Sequence, residues 1–225
     1  MRLTDYVRII RAFDGQIMSF PPVWDDPDPK GRRIYIRHDV DQLLTPALDM
    51  AKLENEDGIR STYFLLNTAD YFPAMKNEPK YLQDLGHEVG WHNNALSQFF
   101  FYDKGKGLKE IIETALKELR DLGVTVRGTA SHGDEYCGQL KYINYHIWPI
   151  NPKTALRYPV RGDHPIFQLS DFGLEYEAYF LKKNLYLSDS GGYFNADPAT
   201  VAKQFNAMEN CTLQILCHPE HWQEI

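Results

Sequence analysis

Arg37-His38-Asp39-Val40-Asp41 is the stretch whose reading decides the fold. It closes an apolar run, Ile34-Tyr35-Ile36, that has the composition of a buried strand. In a strand, residues i and i+2 point to the same face. Arg37, Asp39 and Asp41 therefore share one face, and Ile34, Ile36, His38 and Val40 the other. Two carboxylates side by side repel unless a cation or a proton sits between them. The rest of the chain has to supply that positive charge.

Outward from this stretch, helical spacing and extended apolar runs alternate. Leu3, Tyr6, Val7, Ile10 and Phe13 recur at helical spacing over 3–13, behind Thr4 and Asp5 as cap residues. Ile17 to Phe20 reads as a short strand, and Pro21 to Arg33 as a polar surface loop. The acids Asp25, Asp26 and Asp28 in that loop read as solvated turn chemistry rather than as a cation site. Past the strand at 33–39, Thr45 and Pro46 open a helix that runs to Gly58. Ser61 to Leu66 is a continuous strand of the kind buried on both faces of a parallel sheet.

A short helix over 78–85 ends at Gly86, and His87 to His92 forms the next strand. Leu108, Ile111, Ile112, Ala115, Leu116 and Leu119 line one face of a helix predicted over 107–122. Short strands are predicted near 126–131, 142–148, 166–172 and 184–189, then a helix near 197–208 and a last strand from Thr212 to Cys217. Strands alternating with helices mean a parallel sheet, open or closed. The 225 residues fit one α/β barrel domain over 1–225, with residues 1–32 a helix and loop ahead of the first catalytic strand.

Composition narrows the partners. The net charge is −7 with no Lys/Arg cluster, so nucleic acid is not expected as a partner. Cys137, Cys211 and Cys217 make neither a disulfide framework nor a CxxC pair and read as reduced, buried thiols. The N-terminus lacks the apolar core of a signal peptide, and no uncharged apolar run is long enough to span a membrane. A cytoplasmic location is the expectation that follows.

The residues with catalytic potential gather at predicted strand ends: Asp39 and Asp41, His92, His132, Asp189 and His218. In parallel α/β architectures the carboxyl ends of the strands carry the site. A lone His or Asp at such a position is more often a core residue or a helix cap. Five strand ends supplying one or the other point instead to a metal site. Asp together with imidazoles is the ligand set of a catalytic zinc, which lowers the pKa of a bound water. A neighbouring carboxylate then serves as base, and His218 across the site as acid, which is equipment for hydrolysing an amide or ester. His38, on the opposite strand face, and His87, at a strand start, read as structural; His221 lies at the pocket rim. His146 and His164 are assigned no role.

These motifs resemble the polysaccharide deacetylases, the NodB-homology or carbohydrate esterase family 4 group, in the branch whose first motif is Arg-His-Asp-Val-Asp. The resemblance spans about residues 33 to 222. It implies a distorted (β/α)7 barrel, with Asp39 as base and Asp41 as metal ligand. Gly86-His87-Glu88-Val89-Gly90-Trp91-His92 corresponds to the second motif and implies His92 as ligand. Gly128-Thr129-Ala130-Ser131-His132-Gly133 occupies the place of the third, a groove wall. Ser188-Asp189-Ser190-Gly191 resembles the fourth, whose acid supports the site, and Leu216-Cys217-His218-Pro219 the fifth, whose histidine is the general acid.

One departure stands out. The family's second ligand histidine falls four residues after the first, where this chain has Leu96. His132 is the expected substitute, and Arg37 the expected partner that orients Asp39 in place of the family's motif-three arginine. The helix at 3–13 is expected to cover the part of the barrel near the last strand. Trp91 and Trp222, with the aromatic segment Phe99 to Tyr102, are candidates to stack on a sugar ring.

The expected function is a zinc- or other metal-dependent removal of an acyl group from an N-acylated amino sugar. The expected substrate is a nucleotide- or lipid-linked precursor in glycan or O-antigen assembly. Two rivals accompany it: a metal-free, inactive relative that binds glycan, favoured by Leu96, and a metal-dependent amidohydrolase acting on a non-sugar C–N bond.

Overall fold

The computed structural model describes residues 1–18, 20, 30–102, 105–150 and 156–222. The acidic run Asp25, Asp26 and Asp28 lies outside the described residues. Eight strands and seven helices follow in chain order among those described: α1 (Leu3–Arg11), β1 (Gln16–Ile17), β2 (Arg32–Val40), α2 (Leu44–Glu56), β3 (Thr62–Leu65), α3 (Glu78–Asp84), β4 (Glu88–Asn93), α4 (Ala95–Ser97), α5 (Leu108–Asp121), β5 (Val126–Ser131), α6 (Glu135–Leu140), β6 (Tyr176–Glu177), β7 (Leu185–Ser188), α7 (Pro198–Asn206) and β8 (Cys211–Cys217). No described helix is long and apolar enough to cross a membrane.

Every strand pairing is parallel, in the order β6-β5-β4-β3-β2-β8-β7, with β1 added beside the start of β2. The sheet curls into a partial barrel: Tyr176 of β6 reaches Phe64 of β3 and stacks on Phe20, at 6.4 and 5.2 Å between ring centroids. Two glycines make that inner layer possible. A Cβ at Gly128 would lie 1.9 Å from the Tyr176 ring, and one at Gly90 2.5 Å from the Phe64 ring. The space left by Gly90 is thus filled by an aromatic core and not by a ligand.

Helices cover the outside of the curl. Leu3, Tyr6, Ile10 and Phe13 of the N-terminal segment pack on Ile34, Ile36, Leu213 and Ile215, so α1 does cover β2 and β8 as expected. The predicted face of α5 is buried against Val89, Val126 and Trp91. β2 enters the sheet centre with seven consecutive buried residues, from Ile34 to Val40, which places its last polar positions at the mouth of the curl.

Several local expectations are corrected. Neither Thr4-Asp5 nor Thr45 caps a helix: Arg2 and Leu43 precede α1 and α2, with no side-chain cap at either. Segments 142–148 and 166–172 are not strands but carry 3-10 turns, a buried one at Asn144–Ile147 and one at Leu169–Phe172 that buries only Phe172. Their apolar residues satisfy core packing without a ladder, which sequence alternation cannot distinguish from a strand. β6, two residues long, supplies the outer strand instead.

Candidate active site and metal centre

The polar residues predicted at the strand ends do meet. Asp39 and Asp41 leave the end of β2, His92 lies in β4, His132 follows β5, Asp189 follows β7 and His218 follows β8. Asp39, Asp41, His92, His132 and His218 line one cavity of about 690 Å³ at the carboxyl ends of the strands.

The two acids of the opening motif have different surroundings. Asp39 is buried and held by Arg37, whose Nε donates to Oδ1 at 3.0 Å and whose Nη2 donates to Oδ2 at 2.5 Å. Burial alone would raise the Asp39 carboxyl, but the charge and hydrogen bonds of Arg37, with the nearby His92 and His218, together outweigh it and hold the group below its ordinary value. Both residues occupy the predicted shared face. Asp39 Oδ2 lies 3.7 Å from His92 Nε2, close to the centre of the site without belonging to its tightest cluster.

Asp41 belongs to that cluster. Its Oδ1 is 3.0 Å from His92 Nε2 and 3.2 Å from His132 Nδ1, and the two nitrogens are 3.1 Å apart. His92 Nδ1 donates to the Ala130 carbonyl at 2.9 Å, which fixes the tautomer and leaves Nε2 as a lone pair aimed at Asp41. Asp41 Oδ1 itself has no hydrogen-bond donor. With His92 Nε2 unprotonated, the contact between the two rings makes His132 Nδ1–H the donor, so these three atoms are brought together either by a proton or by a cation that takes its place. With Zn–N and Zn–O bonds near 2.1 Å, neighbouring ligands stand about 3.0 Å apart in an octahedron and about 3.4 Å in a tetrahedron. The observed separations fit a divalent cation held by Asp41, His92 and His132. Protons answer the same demand: against the opposing effect of burial, the imidazoles hold Asp41 well below its ordinary range, and Asp41 raises His132.

Leu96 stands apart from this triad. Its side chain is fully buried in the core against α5, so α4 contributes no ligand at that position. His132, the expected substitute, is the residue brought beside Asp41 and His92.

Across the cavity, Asp189 is fully buried and saturated. It accepts from His218 Nδ1 at 2.7 Å, from the His218 backbone N–H at 3.0 Å and from Trp222 Nε1 at 2.8 Å. His218 therefore presents Nε2 to the cavity, 3.8 Å from Asp41 Oδ2. Burial works against the imidazolium, but Asp189, Asp39 and Asp41 together push His218 up to about 9. At neutral pH this group can donate a proton toward the Asp41, His92 and His132 cluster. His221 lines the rim, as expected.

Both predicted tryptophan platforms are corrected. Trp91 is completely buried in the core, its Nε1 donating to Asn67, and Trp222 is 1% exposed with its indole spent on Asp189. Neither offers a ring face to the cavity. Phe99, Phe100 and Phe101 pack against the core, and only Tyr102 of that segment is well exposed. The accessible aromatic walls are Tyr158, Tyr179 and Tyr186.

Two polar residues escaped the sequence reading. Glu177, fully buried in β6, accepts at Oε1 from the Ser131 and Tyr179 backbone N–H groups. Burial pushes its carboxyl up to about 7, opposed by the charge of Arg37. Asn144 lies at the start of a 3-10 turn and is bonded on both sides of the His132 segment. A two-residue strand and a lone amide carry no period or motif that sequence reading can use.

No family model matches the chain, and no curated protein matches it. Solved structures similar to it include a family 4 carbohydrate esterase from Bacillus anthracis, at 15% identity and a TM-score of 0.41 over 93% of this chain and 75% of that one. A peptidoglycan deacetylase from Bacillus subtilis is similar at 16% identity and a TM-score of 0.44, over 87% of this chain and 77% of that one. A family 4 pseudoenzyme from Bacillus anthracis is similar at 12% identity and a TM-score of 0.44, over 86% of this chain and 58% of that one. These similarities concern the fold: the solved chains are of the carbohydrate esterase family 4 and peptidoglycan deacetylase kind that the motifs of this sequence resemble.

Proposed function

We propose that this chain is a metal-dependent hydrolase of the polysaccharide deacetylase type, removing the acyl group from an N-acylated amino sugar. The observation that carries this reading is the convergence of three potential ligand atoms, from Asp41, His92 and His132, between an Arg-clamped carboxylate and an Asp-supported imidazolium. A divalent cation bound by the three residues, zinc by the chemistry of the donors, supplies the charge that acidifies a water and polarises an acyl carbonyl.

The residues of the chain do the rest. Asp39, kept ionised by Arg37, takes a proton from the attacking water. His218 gives its Nε2 proton to the departing amine, and Asp189 keeps the imidazole in the tautomer that allows this. The products are a free amino sugar and a carboxylate. Tyr158, Tyr179 and Tyr186 give the cavity rings against which a sugar can rest.

The test is elemental analysis of the purified chain, followed by a panel of N-acetylated amino sugars set against cyclic amides, with acetate or amine release measured. The expected result is stoichiometric zinc, lost in His92→Ala, and release of acetate from an amino sugar. A chain that binds no divalent metal at any concentration overturns the hydrolase reading. A metal-bound chain that cleaves only the cyclic amides overturns the sugar.

A further inference from the structure

The ligand His132 lies one residue past the end of β5, where the strand ladder stops, and is followed by Gly133. A metal ligand has to be held to within about 0.5 Å to act as one. Its N–H makes the last bond of the β4–β5 ladder, to the Asn93 carbonyl at 2.8 Å. Its carbonyl lies beyond the ladder and accepts from Asn144 Nδ2 at 2.9 Å.

Asn144 is fully buried, and both ends of its side-chain amide and its backbone carbonyl are engaged. Oδ1 accepts from the backbone N–H groups of Leu96 at 2.9 Å and Ser97 at 3.1 Å. These two donors leave no doubt about which end of the amide is oxygen. Nδ2 then donates to the His132 carbonyl and to Ser97 Oγ at 3.2 Å. The backbone carbonyl of Asn144 accepts from Asn93 Nδ2 at 3.1 Å. One amide thus joins the ends of β4 and β5 to the first turn of α4, the turn that contains Leu96.

We propose that Asn144 is a positioning residue for the ligand His132, tying the segment that supplies the third ligand to the helix turn that supplies none. The inference rests on the metal reading above. In this arrangement the Leu96 backbone serves as an anchor, and Asn144 transmits that anchor to the His132 peptide. Only a short side chain with an acceptor and a donor on one carbon makes both bonds at once.

The test compares Asn144→Asp, Ser97→Ala and His132→Ala with the unaltered chain. Asp keeps an acceptor for the Leu96 and Ser97 N–H groups but sets an oxygen against the His132 carbonyl. Ser97→Ala removes a different partner of the same amide and leaves the His132 bond intact. Zinc affinity is read by competition with a chromogenic chelator, the ligand field by the absorption spectrum of the cobalt(II)-loaded protein, and the fold by circular dichroism of the metal-free protein. Asn144→Asp is expected to bind zinc about ten- to a hundredfold more weakly, the range seen when support of a metal ligand is lost. Its cobalt bands at saturation should move toward those of His132→Ala. Ser97→Ala should keep the wild-type affinity and spectrum.

Wild-type affinity and bands in Asn144→Asp overturn the proposal, as does equal weakening in Ser97→Ala, which would mark a general loosening. Should Asn144→Asp not fold, Asn144→Ser, too short to reach both α4 and His132, takes its place under the same criteria. An unaltered chain that binds no zinc overturns the metal reading itself and is told apart from variants that match a zinc-binding parent.

Discussion

The two faces of β2 carry two polar clusters built from the same residue types, and they differ in how their ligating atoms converge. On the outward face His38 meets Glu54, whose carboxylate accepts from His38 Nε2 at 2.9 Å, Tyr63 OH at 2.6 Å, Ser61 Oγ at 2.7 Å and Tyr6 OH. His87 beside them donates Nε2–H to the Ala51 carbonyl at 3.0 Å and accepts from the Ser61 N–H at Nδ1. Donors and acceptors match at the Glu54 carboxylate, while His38 Nδ1 has no partner. On the inward face an Asp41 oxygen and ring nitrogens of His92 and His132 lie within 3.2 Å of one another, with the His132 Nδ1–H to His92 Nε2 contact as the hydrogen bond between the rings. Burial does not separate the two clusters, since His38 and His92 are both buried. The convergence of ligating atoms does, and it underlies the proposal that the inward histidines are ligands and the outward ones structure.

The comparison breaks most visibly at Asp41. Asp41→Ala is expected to lose bound zinc and to reduce hydrolysis to background, and the metal-free protein should melt earlier than its parent, because the carboxylate that the two imidazoles hold ionised is gone. Metal analysis and a thermal melt check this together. Unchanged zinc content in Asp41→Ala would mean that the residue is not a ligand and that the contrast is false. Asp39→Asn sharpens the same face. Arg37 and the fold remain, so zinc should stay bound while the rate falls by about 10²–10⁴, the usual worth of a general base. Equal metal loss in both variants would refute the division of work between the two acids.

The outward face should respond in stability and not in metal content. Glu54→Gln leaves a buried cationic or donor-rich pocket without its anion, at a cost of about 3–5 kcal/mol. Zinc per folded chain should not change; urea unfolding and elemental analysis read the two quantities separately. The same residue predicts acid sensitivity. Burial alone would raise Glu54, but the charge and hydrogen bond of His38, with His87 and Ser61, hold it down to about 2 in the folded chain. A lowered folded pKa contributes stability that is present above the unfolded value near 4.5 and is lost as pH falls toward 2. That contribution is roughly 3 kcal/mol, and unfolding midpoints measured between pH 6 and pH 3 should show its loss in the parent and not in Glu54→Gln.

How much of this was legible in the sequence follows from what kind of signal each part leaves. Ile34 to Asp41 announced both the central strand and the opposed faces, because alternation is a two-residue period. The strand ends at His92, His132, Asp189 and His218 were legible because each closes a short strand-like segment. The segments at 142–148 and 166–172 were misread because Tyr142, Tyr145, Ile147 and Trp148 are as apolar and β-prone as strand residues but pack in turns. β6 is too short for any period, so Glu177 went unseen. Asn144 acts through partners at 93, 96, 97 and 132, and pairings over such separations leave no trace in one sequence. The tryptophans were misjudged because a ring that stacks on sugar and a ring that fills a core are spelled alike.

Trp222 gives the finest test of that last distinction. Its Nε1–H donates to Asp189 Oδ2, and Asp189 in turn holds His218 Nδ1. Trp222→Phe keeps the ring and removes the donor. Asp189 then carries its charge with one hydrogen bond fewer and becomes the stronger base, so the proton on His218 is held more tightly. Hydrolysis that needs the His218 imidazolium should fail as pH rises through about 9 in the parent. In Trp222→Phe the alkaline limb should move to higher pH, by less than about one unit for a single partly compensated bond, with KM little changed. A tryptophan that served as a sugar platform would give the opposite pattern, because Phe stacks less well on a sugar: a raised KM and an alkaline limb that stays in place. The pH profile of kcat and the KM of one variant thus decide whether this indole belongs to the substrate or to the support of the acid, and its burial at 1% exposure argues for the support.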